Sequence, residues 1–126
     1  MLKHVWVFIV NRMVKYNSTE LDTIFSALSD KTRRGIIADL SQGTAKAAEL
    51  AAPHQMSLPA ISKHLKILER ANLIQREVQG RSHKFSLNSD QLNAATSWIE
   101  DQQVFWEMNL MKLKKFLEQE SGESND

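Results

Sequence analysis

Ser62, Lys63, His64, Lys66 and Arg70 place five donor or cationic side chains within nine residues. Lysine and arginine neutralise phosphate, and all four residue types can also reach the edge of a base. Bond-making chemistry has no comparable cluster. No nucleophile stands at a useful spacing from a general base, and no carboxylate pair suggests a cleft. None of the four glycines is arranged to cradle a nucleotide. No catalytic residue is assigned, and the chain is not expected to be an enzyme.

A helix positions these donors. Leu58, Ile61, Leu65 and Leu68 recur at spacings of three and four, which gives Ser57–Arg70 one apolar stripe. Ser57 is a suitable N-cap, because its hydroxyl can accept from an orphan amide of the first turn. Pro59 is tolerated there, since a first-turn amide has no intrahelical acceptor. Such a face could be an ordinary solvated one, and the flanking sequence weighs against that. Thr44–Ala52 predicts an Ala-rich helix with Ala47, Leu50 and Ala51 inward. Pro53 stops it, and residues 53–56 connect it to Ser57. Helix, short turn and capped cationic helix form a helix-turn-helix pattern. Asn72 then suits a left-handed helix terminator. Ile74, Arg76, Val78 and His83, Phe85, Leu87 alternate as two strands around Gln79-Gly80-Arg81-Ser82. This is a two-stranded wing with Arg81 at its tip, and Arg76, His83 and Lys84 along its edges. A narrow minor groove attracts arginine.

The charge distribution agrees with that reading. The 126 residues carry a formal net charge of +1. From Met56 to Lys84, six Lys/Arg face two Glu; from Ser89 to Asp126, three Lys face eight Asp/Glu. A basic middle and an acidic tail imply an anionic partner for the middle alone. Hydrophobic content of 42% and charged content of 25% are those of a globular protein. There is no cysteine, which excludes disulfides and thiolate metal sites. No apolar run approaches the ~20 residues of a membrane span. No membrane partner is expected, and residence is expected to be cytoplasmic.

Residues 1–17 are read as an N-terminal extension. Trp6–Val10 suits a strand by residue type, whereas Val5, Phe8, Ile9 and Met13 suit a one-sided helix. Met13 could also serve as a start, and a contact with a second subunit would cover this apolar run. Residues 18–89 are read as the winged helix-turn-helix domain. Its first helix begins at Ser18 or Thr19 and buries Leu21, Ile24, Phe25 and Leu28. A second runs from Lys31 to about Leu40, recapped by Ser29-Asp30 and ended by Gly43. Lys31, Arg33 and Arg34 at its start could meet phosphate or pair with Asp30 and Asp39. Residues 90–119 predict a long amphipathic helix. Leu92, Trp98, Ile99, Phe105, Trp106, Leu110, Leu113 and Phe116 line one side, more than a small domain can cover, so a homodimer interface is expected. A competing reading has the aromatics cap the domain's own core. Residues 120–126 are expected to be disordered.

With these residues in view, the chain resembles the ArsR-type winged helix-turn-helix transcriptional regulators. The resemblance is carried by Leu21-Asp-Thr-Ile-Phe-Ser-Ala-Leu-Ser-Asp-Lys-Thr-Arg-Arg, by Ala48-Glu-Leu-Ala, and by Met56 through Ile74. Arg76, Gly80-Arg81 and Phe85 add to it. It implies a mostly α fold with a small β-wing and a homodimeric repressor that binds palindromic double-stranded DNA. The family's metal sites do not carry over: Ala47, Ala48 and Ala51 stand where its thiolate site expects cysteines. Its C-terminal site expects histidine, and none follows His83. No metal or cofactor is expected, which points to the non-metal branch; release by an unidentified small-molecule effector stays open. Lys63 and His64 are assigned to base edges, and Ser57 and Ser62 to phosphate or base. Pro59 lies beside them, Lys66 and Arg70 serve the DNA backbone, Arg81 the minor groove, and Arg76 and Lys84 the wing. The competing class is a winged-helix protein-interaction module whose basic face meets an acidic partner.

Overall fold

The computed structural model describes residues 18–123, so the expectations for residues 1–17 and 124–126 lie outside the described residues. The element order is α1 (Ser18–Leu28), α2 (Lys31–Leu40), β1 (Ala45–Lys46), α3 (Ala47–Ala51), a 3-10 turn (Ala52–His54), α4 (Leu58–Arg70), β2 (Ile74–Gln79), β3 (Ser82–Leu87) and α5 (Ser89–Glu123). The fold is mostly α, a helix-turn-helix followed by a wing and a long C-terminal helix.

The core forms where the apolar positions of α1 to α4 meet the base of the sheet. Ile24, Ile36, Leu50, Ile61, Leu65, Leu68 and Leu73 are fully buried, and Phe85 joins them from β3. Ala94 and Ala95 close it from α5. Their small side chains let α5 lie close to the domain before it departs.

Local chemistry fixes the segment boundaries. The Asp30 carboxylate accepts from the Arg33 amide at 3.0 Å and caps α2. Arg33 and Arg34 turn back onto α1: Arg33 Nε donates to the Ala27 carbonyl at 2.7 Å, and Arg34 donates to that of Leu28 at 2.9 Å. They satisfy carbonyls that the end of α1 leaves open. The Arg33 charge also acts on Asp30, whereas Asp39 faces His54 and pairs with neither arginine among the described residues. The predicted 44–52 helix is shorter than expected. Ala45–Lys46 instead pairs with β3, Ala45 opposite Phe85, so the sheet has three antiparallel strands in the order β1-β3-β2.

α4 ends in a Schellman motif. The Leu73 amide donates to the Leu68 carbonyl at 3.0 Å and the Asn72 amide to that of Glu69 at 2.9 Å. Asn72 takes the left-handed φ of 58° that this ending requires. The wing closes on Gly80-Arg81, with Gln79 opposite Ser82. Gly80 alone carries a positive φ in that loop, the pattern of a type II′ turn, which favours glycine first. α5 runs on to Glu123, beyond the expected end at 119.

The Asp30 carboxyl is held below the ordinary carboxylate range, chiefly by the Arg33 amide. The Arg33 and His64 charges and the Thr32 amide add to this, and desolvation opposes it. A lowered folded value means the stabilisation is complete above the unfolded pKa and is lost as pH falls through the folded one. Asp30→Ala is therefore expected to cost about 1 kcal/mol at neutral pH. Urea midpoints should show the gap from wild type narrowing as the solution is acidified.

Candidate nucleic-acid interface

The buried face of α4 is Ile61, Leu65 and Leu68. Helical spacing therefore turns Pro59, Lys63, Lys66 and Arg70 to the opposite side, and all four are exposed. The Ser57 hydroxyl accepts from the Ala60 amide at 3.3 Å, as an N-cap should. Leu58 departs from the expected stripe: it is 53% exposed, because the first turn of α4 projects past the packed layer. Gln55, in the left-handed region at φ 54°, sets the turn into α4. No sequence signal singled it out, since glycine or asparagine is usual there. Ser62 is half-buried at the edge of the packed side. Arg70 lines the cleft between α1 and α4 with Thr19, Asp22, Thr23 and Ile67.

Two assigned residues are placed differently from expectation. His64 is half-buried, and its Nδ1 faces α2, 3.2 Å from an Arg33 guanidinium nitrogen and 3.8 Å from Asp30. It does not stand free on the outer face. Arg76 is exposed, yet its guanidinium is engaged by its own chain: it pairs with Glu69 at 2.7 Å, donates to His83 Nδ1 at 3.1 Å, and stacks 5.0 Å from the Phe85 ring centroid. These contacts tie the wing to the end of α4. Arg81 is exposed at the loop tip. Lys84 is half-buried on β3, opposite both Glu77 and Lys46.

His54 shares no hydrogen-bond or ion-pair partner with the other two described histidines. Its Nε2 lies 3.5 Å from Asp39 Oδ2, and its ring fills the space above Gly35, where a Cβ would meet Cε1 at 2.5 Å. Among the described residues no group of three or more histidines and carboxylates could hold a metal ion.

Asn88 and Gln91 went unnoticed in the sequence, although they set the direction of α5. Asn88 Nδ2 donates to the Asn72 carbonyl at 2.8 Å, and Gln91 Nε2 donates to that of Ala71 at 3.0 Å. Leu92 packs against the core and leaves the expected open face. Trp98 meets Phe25 edge-on at 5.7 Å yet stays 45% exposed, so the core-capping reading holds only in part. Beyond it Ile99, Phe105, Trp106, Leu110, Leu113 and Phe116 are all exposed, Trp106 by 65%. They share one wide side of the helix. Among the described residues no helix is long and apolar enough to cross a membrane.

A model described as "Bacterial regulatory protein, arsR family" matches residues 30–76, which run from the α2 cap into β2. The HTH-type transcriptional regulator Rv2034 of Mycobacterium tuberculosis is 31% identical over 103 residues, covering 82% of this chain and 94% of that one. The chain belongs to the arsR family. The transcriptional repressor SdpR of Bacillus subtilis is 35% identical over 79 residues, covering 63% of this chain and 88% of that protein. The crystal structure of the ArsR family transcriptional regulator RHA00566 superposes with a TM-score of 0.69 at 37% identity, covering 73% and 95% of the two chains. This arsR-family chain is a transcriptional regulator with a DNA-binding winged-helix fold, and not an enzyme.

Proposed function

We propose that the chain is a homodimeric repressor that reads a twofold-symmetric operator. The observation that carries this is the outward cationic row Lys63–Lys66–Arg70, opposite the face on which α4 buries Ile61, Leu65 and Leu68. The exposed side of α5 supplies the pairing surface. The open cleft of about 400 Å³ between α1 and α5, lined by Leu21, Phe25 and Trp98, continues it. Pairing about that surface would set two copies of α4 in successive major grooves, ~34 Å apart. Lys63 and Ser62 then serve the groove, Ser57, Lys66 and Arg70 the backbone, and Arg81 and Lys84 the flanking DNA. Footprinting on DNA upstream of its own gene, with gel shift against random DNA, tests the reading. A protected inverted repeat supports it; no DNA affinity at low salt would favour the protein-interaction module.

Arg81 gives a narrower check. Arg81→Ala is expected to weaken binding and flatten the plot of log affinity against log salt by about one unit per lost phosphate contact. An unchanged slope, measured by anisotropy titration across a salt series, would remove Arg81 from the interface.

A further inference from the structure

We propose that Arg33 is a positioning residue that fixes the His64 ring with its proton on Nε2, so that α4 presents an N–H donor to a hydrogen-bond acceptor on DNA. This rests on the DNA-binding reading above. A guanidinium donates and never accepts. The contact of 3.2 Å between Arg33 and His64 Nδ1 therefore requires a lone pair on Nδ1. The alternative tautomer would aim a ring N–H at an arginine N–H. It could turn only to Asp30, which at 3.8 Å is beyond hydrogen-bond length and whose Oδ2 already accepts from the Arg33 amide. Arg33 is itself held by the Ala27 and Ser26 carbonyls, at 2.7 and 3.3 Å, so the donor that selects the tautomer is anchored to the end of α1. His64 Nε2 has no hydrogen bond among the described residues and is not among the buried polar atoms left without a partner, so it meets solvent.

The arrangement recurs on the wing. Arg76 donates to Nδ1 of His83 at 3.1 Å, and it is anchored in turn by Glu69. The same logic puts the His83 proton on Nε2, which makes His83 an internal comparison for His64.

The acceptor read by His64 is a base-edge nitrogen or oxygen, or a phosphate oxygen. Both ask for the same donor. Nitrogen-15 spectra of the histidine rings in the full chain, recorded where histidine is neutral, report the tautomer directly. Wild type is expected to show the Nε2–H pattern at His64 and His83. Arg33→Met is expected to mix the two tautomers at His64 and to leave His83 unchanged. Arg33→Met also removes bonds to α1, so a second pair of variants keeps the test open if it fails to fold. His64→Gln retains a donor at the place of Nε2. His64→Asn retains an acceptor for Arg33 and nothing beyond it.

His64→Gln should bind promoter DNA more tightly than His64→Asn, which should fall about five- to tenfold below wild type, the size of one hydrogen bond. If the acceptor is a base edge, His64→Asn also loses preference for promoter over random DNA; if it is phosphate, both affinities fall alike. An Nδ1–H pattern at wild-type His64, or full promoter affinity in His64→Asn, would overturn the proposal while leaving the regulator reading intact. A wild-type chain that binds no DNA overturns that reading and this proposal's DNA contact together, and the ring spectra still report on Arg33.

Discussion

Leu110→Glu combined with Leu113→Glu is expected to leave a folded monomer that no longer binds an inverted repeat. Both side chains are about half exposed in the single chain, 45% and 54%. Neither touches the core, so the melting of the winged domain should change little. In a pair of chains, each glutamate would have to enter an apolar surface built from Trp106, Phe116 and their neighbours. An unpaired buried charge costs several kcal/mol, and a symmetric interface repeats the cost in both protomers. The dimer dissociation constant should rise by at least about a thousandfold. Sedimentation or light scattering at micromolar protein reads the mass. Operator affinity should collapse with it, because two half-sites bound as one unit become two weak independent events. A double variant that remains dimeric would show that the exposed side of α5 is not the pairing surface.

Most of the helix-turn-helix was legible because its signals are local. Ser57, Pro59 and the three- and four-residue spacing of Ile61, Leu65 and Leu68 fix α4 without help from distant parts of the chain. Asn72 and Gly80 each mark a backbone angle that few other residues accept cheaply. The turn at Gly80-Arg81 then fixes the strand register, so Ile74, Arg76 and Val78 oppose Leu87, Phe85 and His83 as their alternation requires.

What was misread or left open depends on long-range pairing. A two-residue strand such as Ala45–Lys46 has no periodicity, and its existence depends on an open edge of β3 some forty residues away. Arg33 and Arg76 carry the same charge as Lys63 and Lys66, and sequence alone cannot separate a cation that faces a carbonyl or a glutamate from one that faces solvent. The difference is geometric: Arg33 lies over the C-terminal carbonyls of α1, and Arg76 sits between Glu69 and the Phe85 ring. Arginine suits both places, since its planar fork can serve several acceptors at once. The lysines, with one compact charge on a flexible stem, are left on the outer face.

That partition makes Lys63→Glu the sharpest test of the interface itself. Lys63 is exposed and makes no hydrogen bond or ion pair among the described residues, so reversing its charge should leave the melting temperature nearly unchanged. On DNA it would replace a favourable contact with repulsion from the phosphates at the centre of α4. The loss of one good groove contact, about 1–3 kcal/mol, together with that repulsion predicts an affinity drop of about a hundredfold or more. The salt dependence should also weaken, as fewer counterions are released. Arg76→Met should behave in the opposite way, lowering the melting temperature through the lost Glu69 and Phe85 contacts and, in protein that remains folded, shifting affinity far less. Thermal melts and anisotropy titrations on the two variants separate a DNA-facing cation from a structural one. If Lys63→Glu bound promoter DNA as tightly as wild type, the outer face of α4 could not be the surface that meets the groove.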